Sequence, residues 1–433
     1  MCNKCVLART ETAALEIENL IAGDLPSEAQ AESPDLSRLI HRCCAVLLFL
    51  VTALLAIGRA QTQQQAKPTG SEPTPEPAVP AILEAFDKYQ VVGMGEAHGD
   101  KDQDDFILSL IRNPAFLEKV NDIAVECGNS LYQPILDRYI AGEDVPFTEV
   151  QKVWRNTTQI MCSWSGFFEQ FFPLMRAINQ KLPPGKRLRV LAADPPIDWD
   201  QIKDYKDHLK FDREISIASV MEKEVLSKHR KALMLFGELH LIHGQEKSAW
   251  PSAVSIYERD YPNLTFVISD FGSFERDLPT LSSSRFATWS FPSLARAKGS
   301  WLGALDLWHF YPKQVSIGKD CDVHEVELPQ SMQKPMEDLF DAFVYFGPQD
   351  LRLKEQVPAD IALDIYYRME QRRREALPNP PGPVTEAFRK SDQEIVKSAD
   401  DPLYVIPKEI TKDVLKSAVQ NCLDRKSRSS MPQ

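Results

Sequence analysis

Two short segments of the chain carry the same four-residue pattern, Gly95-Glu96-Ala97-His98 and Gly237-Glu238-Leu239-His240. In an extended segment residues two apart point to the same side, so Glu96 is expected to face with His98, and Glu238 with His240. A carboxylate beside an imidazole fixes its tautomer and raises its basicity, which prepares the ring to take a proton from water or to hold a metal. The glycine at the head of each motif lets the backbone turn sharply or approach a ligand closely. One copy alone is equally well read as a strand-end histidine hydrogen-bonded in its loop. Two copies, each directly after an apolar run, point to chemistry.

The elements that must position these residues are short and apolar. Strand-like runs lie at 90–94, 122–126, 188–193, 232–236, 264–268 and 342–346. Between them apolar residues recur at helical spacing, as in Phe106, Leu110 and Ile111 or Phe168, Phe172 and Met175. Continuous apolar strands separated by helices predict an α/β fold: a largely parallel central sheet flanked by helices on both faces. Ligands of such sheets bind outside the carboxyl ends of the strands. Those ends carry Glu96 and His98, Glu126, Asp194, Glu238 and His240, and Asp270. Their convergence on one region is the strongest functional expectation.

Composition and the remaining motifs narrow the classes. A formal net charge of −12 argues against a nucleic-acid binder, which draws its affinity from basic residues facing phosphates. The segment 92–98 begins like a dinucleotide fingerprint, but His98 stands where a third glycine is needed for close helix packing. There is no Gly-x-Ser-x-Gly elbow, no His-Glu-x-x-His and no phosphate-binding Gly-x-x-x-x-Gly-Lys-Ser/Thr.

The apolar run 43–57 follows Arg38, His41 and Arg42 and precedes the small residues Gly58 and Ala60. That is the pattern of a secretory signal, too short for a comfortable membrane span. Residues 1–60 are therefore expected to be a leader or anchor, the only membrane-facing part, and the protein extracytoplasmic. Residues 61–80, rich in proline, read as an extended linker. The body is expected at 81–377, and 378–433, beginning with Pro378-Asn-Pro-Pro-Gly-Pro383, as a peripheral appendage. The basic residues Arg368, Arg372, Arg373 and Arg374 read as a solvated helix face. Cys2 and Cys5 have the spacing of half a zinc site with no second half. Cys127, Cys162, Cys321 and Cys422 could form up to two disulfides in an exported chain, and the sequence does not pair them.

The paired motifs after apolar strands, with Glu126 closing a strand between them, resemble the superfamily that joins erythromycin-esterase-like proteins, ChaN-like haem-uptake proteins and Tiki-type proteases. The similarity runs from about Gln90 to Gly272, and residues 341–347 resemble a late core strand of the esterase-like branch. In the esterase-like branch a histidine acts as general base on water without a metal; in the Tiki-like branch the same positions bind a divalent metal; in the haem-uptake branch the pocket holds porphyrin. Carried onto this chain, the resemblance makes His98 the base, Glu96 its orienter and Glu126 a second polarising carboxylate. Glu238 and His240 complete the site, and a metal, if present, is held by Glu96, His98, Glu238 and His240. The esterase motif has one residue more between its glutamate and histidine, so this chain is closer to the shorter form of the other two branches.

Three further residues are candidates for substrate contact. Arg155 could grip an anionic group from an aromatic-rich lid that includes Trp154, Trp164, Phe167, Phe168, Phe171 and Phe172, although phenylalanines at helical spacing are more often core. Asp194 ends a strand, and His243 would lie near His240 if a helix begins there. The expected function is an exported hydrolase-like protein activating water against an ester or amide of a small molecule or peptide. The alternatives are haem or iron capture, which requires a wide apolar pocket and an axial ligand, and a scaffold with no chemistry.

Overall fold

The computed structural model describes residues 70–369, apart from internal stretches of which 271–285 is the longest, together with short pieces near each end of the chain. The apolar run 43–57 and the basic residues Arg372, Arg373 and Arg374 lie outside the described residues.

The chain builds one large sheet from β1 (Glu76–Pro77), β2 (Val91–Glu96), β3 (Asp122–Asn129), β4 (Arg189–Asp194), β5 (Ala232–Gly237), β6 (Thr265–Asp270), β7 (Ser293–Arg296) and β8 (Ala342–Tyr345). Across the sheet the order is β1-β7-β8-β6-β2-β5-β3-β4. Every pair from β8 to β4 is parallel, and β7 is antiparallel to both its neighbours. The expected α/β sheet is thus present, extended by an antiparallel edge.

Successive strand residues point to opposite faces, and both faces are covered. Val92, Met94, Ile123, Val125, Leu233 and Leu235 pack with α1 (Ala78–Lys88), α2 (Lys101–Arg112), α3 (Gln133–Ala141) and α4 (Phe167–Lys181). Val91, Ala124, Leu191, Met234 and Phe236 pack with α5 (Arg213–Glu224) and α6 (Ala253–Tyr257). No helix among the described residues is long and apolar enough to cross a membrane.

The boundary expected at Ala81 moves upstream. Ser71 N donates to the Gly299 carbonyl and Trp301 Nε1 to Glu72, β1 pairs with β7, and α1 starts at Ala78. Proline does not prevent this, because Pro77 needs no ladder donor at the sheet edge and Pro80 lies in the first helical turn. Two disulfides join the body cysteines, Cys127 to Cys162 and Cys321 to Cys422. Of the C-terminal appendage, Val396 packs on Val357, Ile361 and Tyr367.

Candidate active site at the carboxyl ends of the strands

β2 and β5 are neighbours, and Glu96 is paired with Gly237, so the two motifs leave the sheet side by side. β3 adjoins β5, and β4 lies beyond it. Glu126 and Asp194 therefore end in the same region as His98 and His240.

Glu126 is the hub. It is buried, its Oε2 accepts from Gly237 N at 2.5 Å, and its Oε1 accepts from Arg213 Nη2 at 2.7 Å. His98 Nε2 lies 3.8 Å from Oε2, and His240 Nε2 lies 3.4 Å from Oε1. Burial opposes ionisation, but His240, His98 and Arg213 outweigh it and hold the carboxyl well below the usual carboxylate range. A Cβ at 237 would crowd the hub, standing 3.2 Å from Glu126 Oε2 and 3.4 Å from His98 Nε2.

The two histidines live differently. His98 follows β2 in a turn completed by Gly99 at φ 85°, with Nδ1 3.9 Å from Glu96 Oε1 and 31% of its side chain exposed. His240 is less open, 13% exposed, with Nδ1 2.5 Å from Glu214 Oε1 and Nε2 3.2 Å from Arg213 Nη1. Burial would lower its pKa, but Glu126 and Glu214 raise it to about 9.

Arg213 and Glu214 were not singled out by sequence. Arg213 Nε also donates to Asp194 Oδ1 at 3.1 Å, and Asp194 accepts from both the backbone and the hydroxyl of Thr158 at 2.6 Å. Both residues sit in the first turn of α5, behind the Asp212 cap, which accepts from Ile215 N. A cation at a helix N-terminus opposes the helix dipole. Arg213 occupies that position because Glu126 and Asp194 meet it there in space, and no signal in the linear chain sets it apart.

A second carboxyl group lies around Glu96. Burial lifts Glu96 to about 7, with His98 drawing it down and Glu126 and Glu355 adding to the rise. Its Oε2 has no hydrogen-bond partner among the described residues. Burial likewise raises Asp104, Glu355 and, to about 6, Asp100. Glu355 accepts from Ser165 Oγ at 3.0 Å and Phe167 N at 2.6 Å. It reaches the site on the segment 351–355, which lies along the His98 turn: Lys101 N donates to the Leu353 carbonyl and Glu355 N to the Gly99 carbonyl. Arg352, buried, fastens that segment by donating to Asp100 and, at 3.0 Å, to Asp270 Oδ2.

Several expectations are corrected. Glu238 does not face with His240, because residues Glu238–His240 form a 3-10 turn rather than extended chain. Its Oε1 instead accepts from Ser269 Oγ at 2.8 Å and Asp270 N at 2.6 Å. The four proposed metal ligands therefore do not converge, and no group of three or more His, Cys, Asp or Glu among the described residues is arranged to hold a metal ion. Arg155 is fully buried and donates to Asp364, Glu169 and the Ser163 carbonyl, so its guanidinium is spent inside the protein rather than offered from a lid. His243 bonds Glu258 and Asp341, each at 3.0 Å, rather than joining His240, because the turn ends at His240 and no helix carries it on. Asp194 is wholly buried behind Arg213, so it supports the site rather than contacting substrate. A groove of about 940 Å³ runs along the outer side of β4, lined by Gln133, Arg189, Glu224 and Arg230 and by none of the site residues.

No protein-family model matches the chain, and no curated protein matches it. Among solved structures it is similar to a succinoglycan biosynthesis protein, at 10% identity and TM-score 0.41 over 66% of this chain and 98% of that one. It is also similar to an erythromycin esterase mutant in its open conformation, at 11% identity and TM-score 0.37 over 62% and 93%. A haem-binding ChaN of Campylobacter jejuni follows at 14% identity and TM-score 0.27 over 44% and 84%. At these scores the activity has to be argued from the site itself.

Proposed function

We propose that the chain is an exported hydrolase that activates water with His98 against an ester or amide in a small-molecule or peptide substrate. The observation that carries this is the division of labour between the two histidines. His98 is the more open ring and lies beside two carboxylates, as a base that takes a proton from water must. His240 is paired with Glu214 and Glu126 and, with Arg213, places positive charge beside the same hub, where an oxyanion would develop. Water would be deprotonated by His98 Nδ1 or Nε2, attack the carbonyl carbon, and leave the tetrahedral oxygen facing Arg213 and His240. Transfer of a proton to the departing oxygen or nitrogen completes the step.

The donor set does not fit a divalent metal held through both motifs, since Glu238, one of the four ligands, is committed to Ser269 and Asp270 of β6. Haem capture would need the aromatic segment to line a wide pocket, whereas Trp154, Phe167, Phe168, Phe171 and Phe172 are buried against one another in the core. Export is supported by the buried Cys127–Cys162 bond, a pairing that persists in oxidising compartments. Nucleic acid is not expected as a partner.

The test is a screen of chromogenic esters and amides with the wild type and His98→Ala. Any activity found should fall roughly a hundredfold to ten-thousandfold in the variant. Activity that survives His98→Ala intact would place the base elsewhere.

A further inference from the structure

We propose that Glu214 is a positioning residue of this site: it holds the His240 ring at Nδ1 and thereby commits Nε2 to the reaction. Two hydrogen bonds make the arrangement rigid. Glu214 Oε1 lies 2.5 Å from His240 Nδ1, and Glu214 Oε2 accepts from Ala253 N at 2.8 Å, at the start of α6. The carboxylate is clamped between the ring and a backbone donor, and its stem is fixed in the first turn of α5. A carboxylate so placed keeps the proton on Nδ1.

The other ring nitrogen then has two neighbours of opposite character. Nε2 lies 3.2 Å from Arg213 Nη1 and 3.4 Å from Glu126 Oε1. With the ring neutral, Nε2 accepts from Arg213; with the ring charged, Nε2 donates to Glu126. Only Nε2 changes its proton, and both states have a partner ready. The groups that face the ring are Glu126 from β3 and Arg213 and Glu214 from α5, with His98 opposite Glu126 and Asp194 behind Arg213. Two residues adjacent in sequence thus act on one imidazole from its two nitrogens. Nothing about Arg213-Glu214 in the linear chain distinguishes it from a solvated helix start, and the next residue, Ile215, is exposed.

The kinetic part of this inference rests on the hydrolase reading; the spectroscopic part does not. Proton and nitrogen spectra of the labelled full chain should show a strongly deshielded ring N–H, the mark of a short bond to a carboxylate. It should vanish in His240→Gln, which assigns it, and in Glu214→Gln with the circular dichroism unchanged and the His98 signals in place. If an ester or amide is turned over, Glu214→Gln should lower kcat by about 10–100-fold with little change in KM. A deshielded proton that persists in Glu214→Gln, or that is missing from the wild type, overturns the assignment. Should Glu214→Gln fail to fold, the ring couplings of the wild type, which tell Nδ1–H from Nε2–H, decide it: a deshielded proton on Nε2 overturns the assignment. A chain that shows the proton and hydrolyses nothing keeps the positioning role and loses the hydrolase.

Discussion

Glu96 sits where its charge has little support: burial lifts it to about 7 from an ordinary 4.5, and Oε2 goes without a partner. Between those values the folded chain holds a proton that the unfolded chain has released. The stabilisation from that proton is fully present below about 4.5 and is lost as pH rises through about 7. Glu96→Gln mimics the neutral form permanently, so its unfolding free energy should fall less steeply across this window than the wild type's. Urea titrations at several pH values measure the difference, with Asp100, Asp104 and Glu355 common to both proteins; parallel profiles would mean that Glu96 keeps its charge. The Glu96–His98 neighbourhood expected from two-residue spacing is met at 3.9 Å, although β2 ends at Glu96 and His98 already lies in the turn. The same spacing misled at Glu238, where the chain winds into a 3-10 turn one residue after the strand.

Glycines decide how closely the two motif-bearing strands can carry their side chains. A Cβ on Gly95 would stand 2.4 Å from Glu238 Cγ, so Glu238 can cross β2 toward β6 only over a glycine. Gly95→Ala should dislodge Glu238 from Ser269 and Asp270, costing about 1–3 kcal/mol for the stranded buried groups, readable as a lowered midpoint in denaturant. An unchanged midpoint would show that the turn relaxes freely. The sequence flagged glycine at the head of both motifs for turning freedom or close approach to a ligand, whereas its service at 95 is to leave space for Glu238. The six parallel strands were readable as apolar runs because helices cover both their faces. The edge pair β1 and β7 was not: each is short, and the run 293–296 ends in the half-exposed Arg296. The first turn of α5 was also invisible, since its role depends on what stands opposite it in space.

At the scale of the whole molecule, the Cys127–Cys162 bond ties the residue after Glu126 to the turn that precedes α4, closing a loop of sequence separation 35. Replacing both cysteines by alanine should cost about 3–4 kcal/mol by the loop-entropy argument, measured by urea unfolding of the oxidised wild type against the variant. A loss below about 1 kcal/mol would show that packing alone fixes this loop. The outer edge of the sheet is closed without covalent help: the Gln133 amide donates to the Val190 carbonyl and accepts from Ala192 N, standing in for a further strand on β4. Arg352 sets a different kind of limit. It joins Asp100 to Asp270 from a position 252 residues after the first and 82 after the second. Both histidine motifs are made long before that guanidinium emerges from the ribosome, yet the turn bearing His98 is fastened only when it arrives. A nascent or prematurely ended chain therefore carries every motif of the site and still lacks the catch that closes it. The order of synthesis thus leaves the His98 turn unfastened until residue 352 has been made.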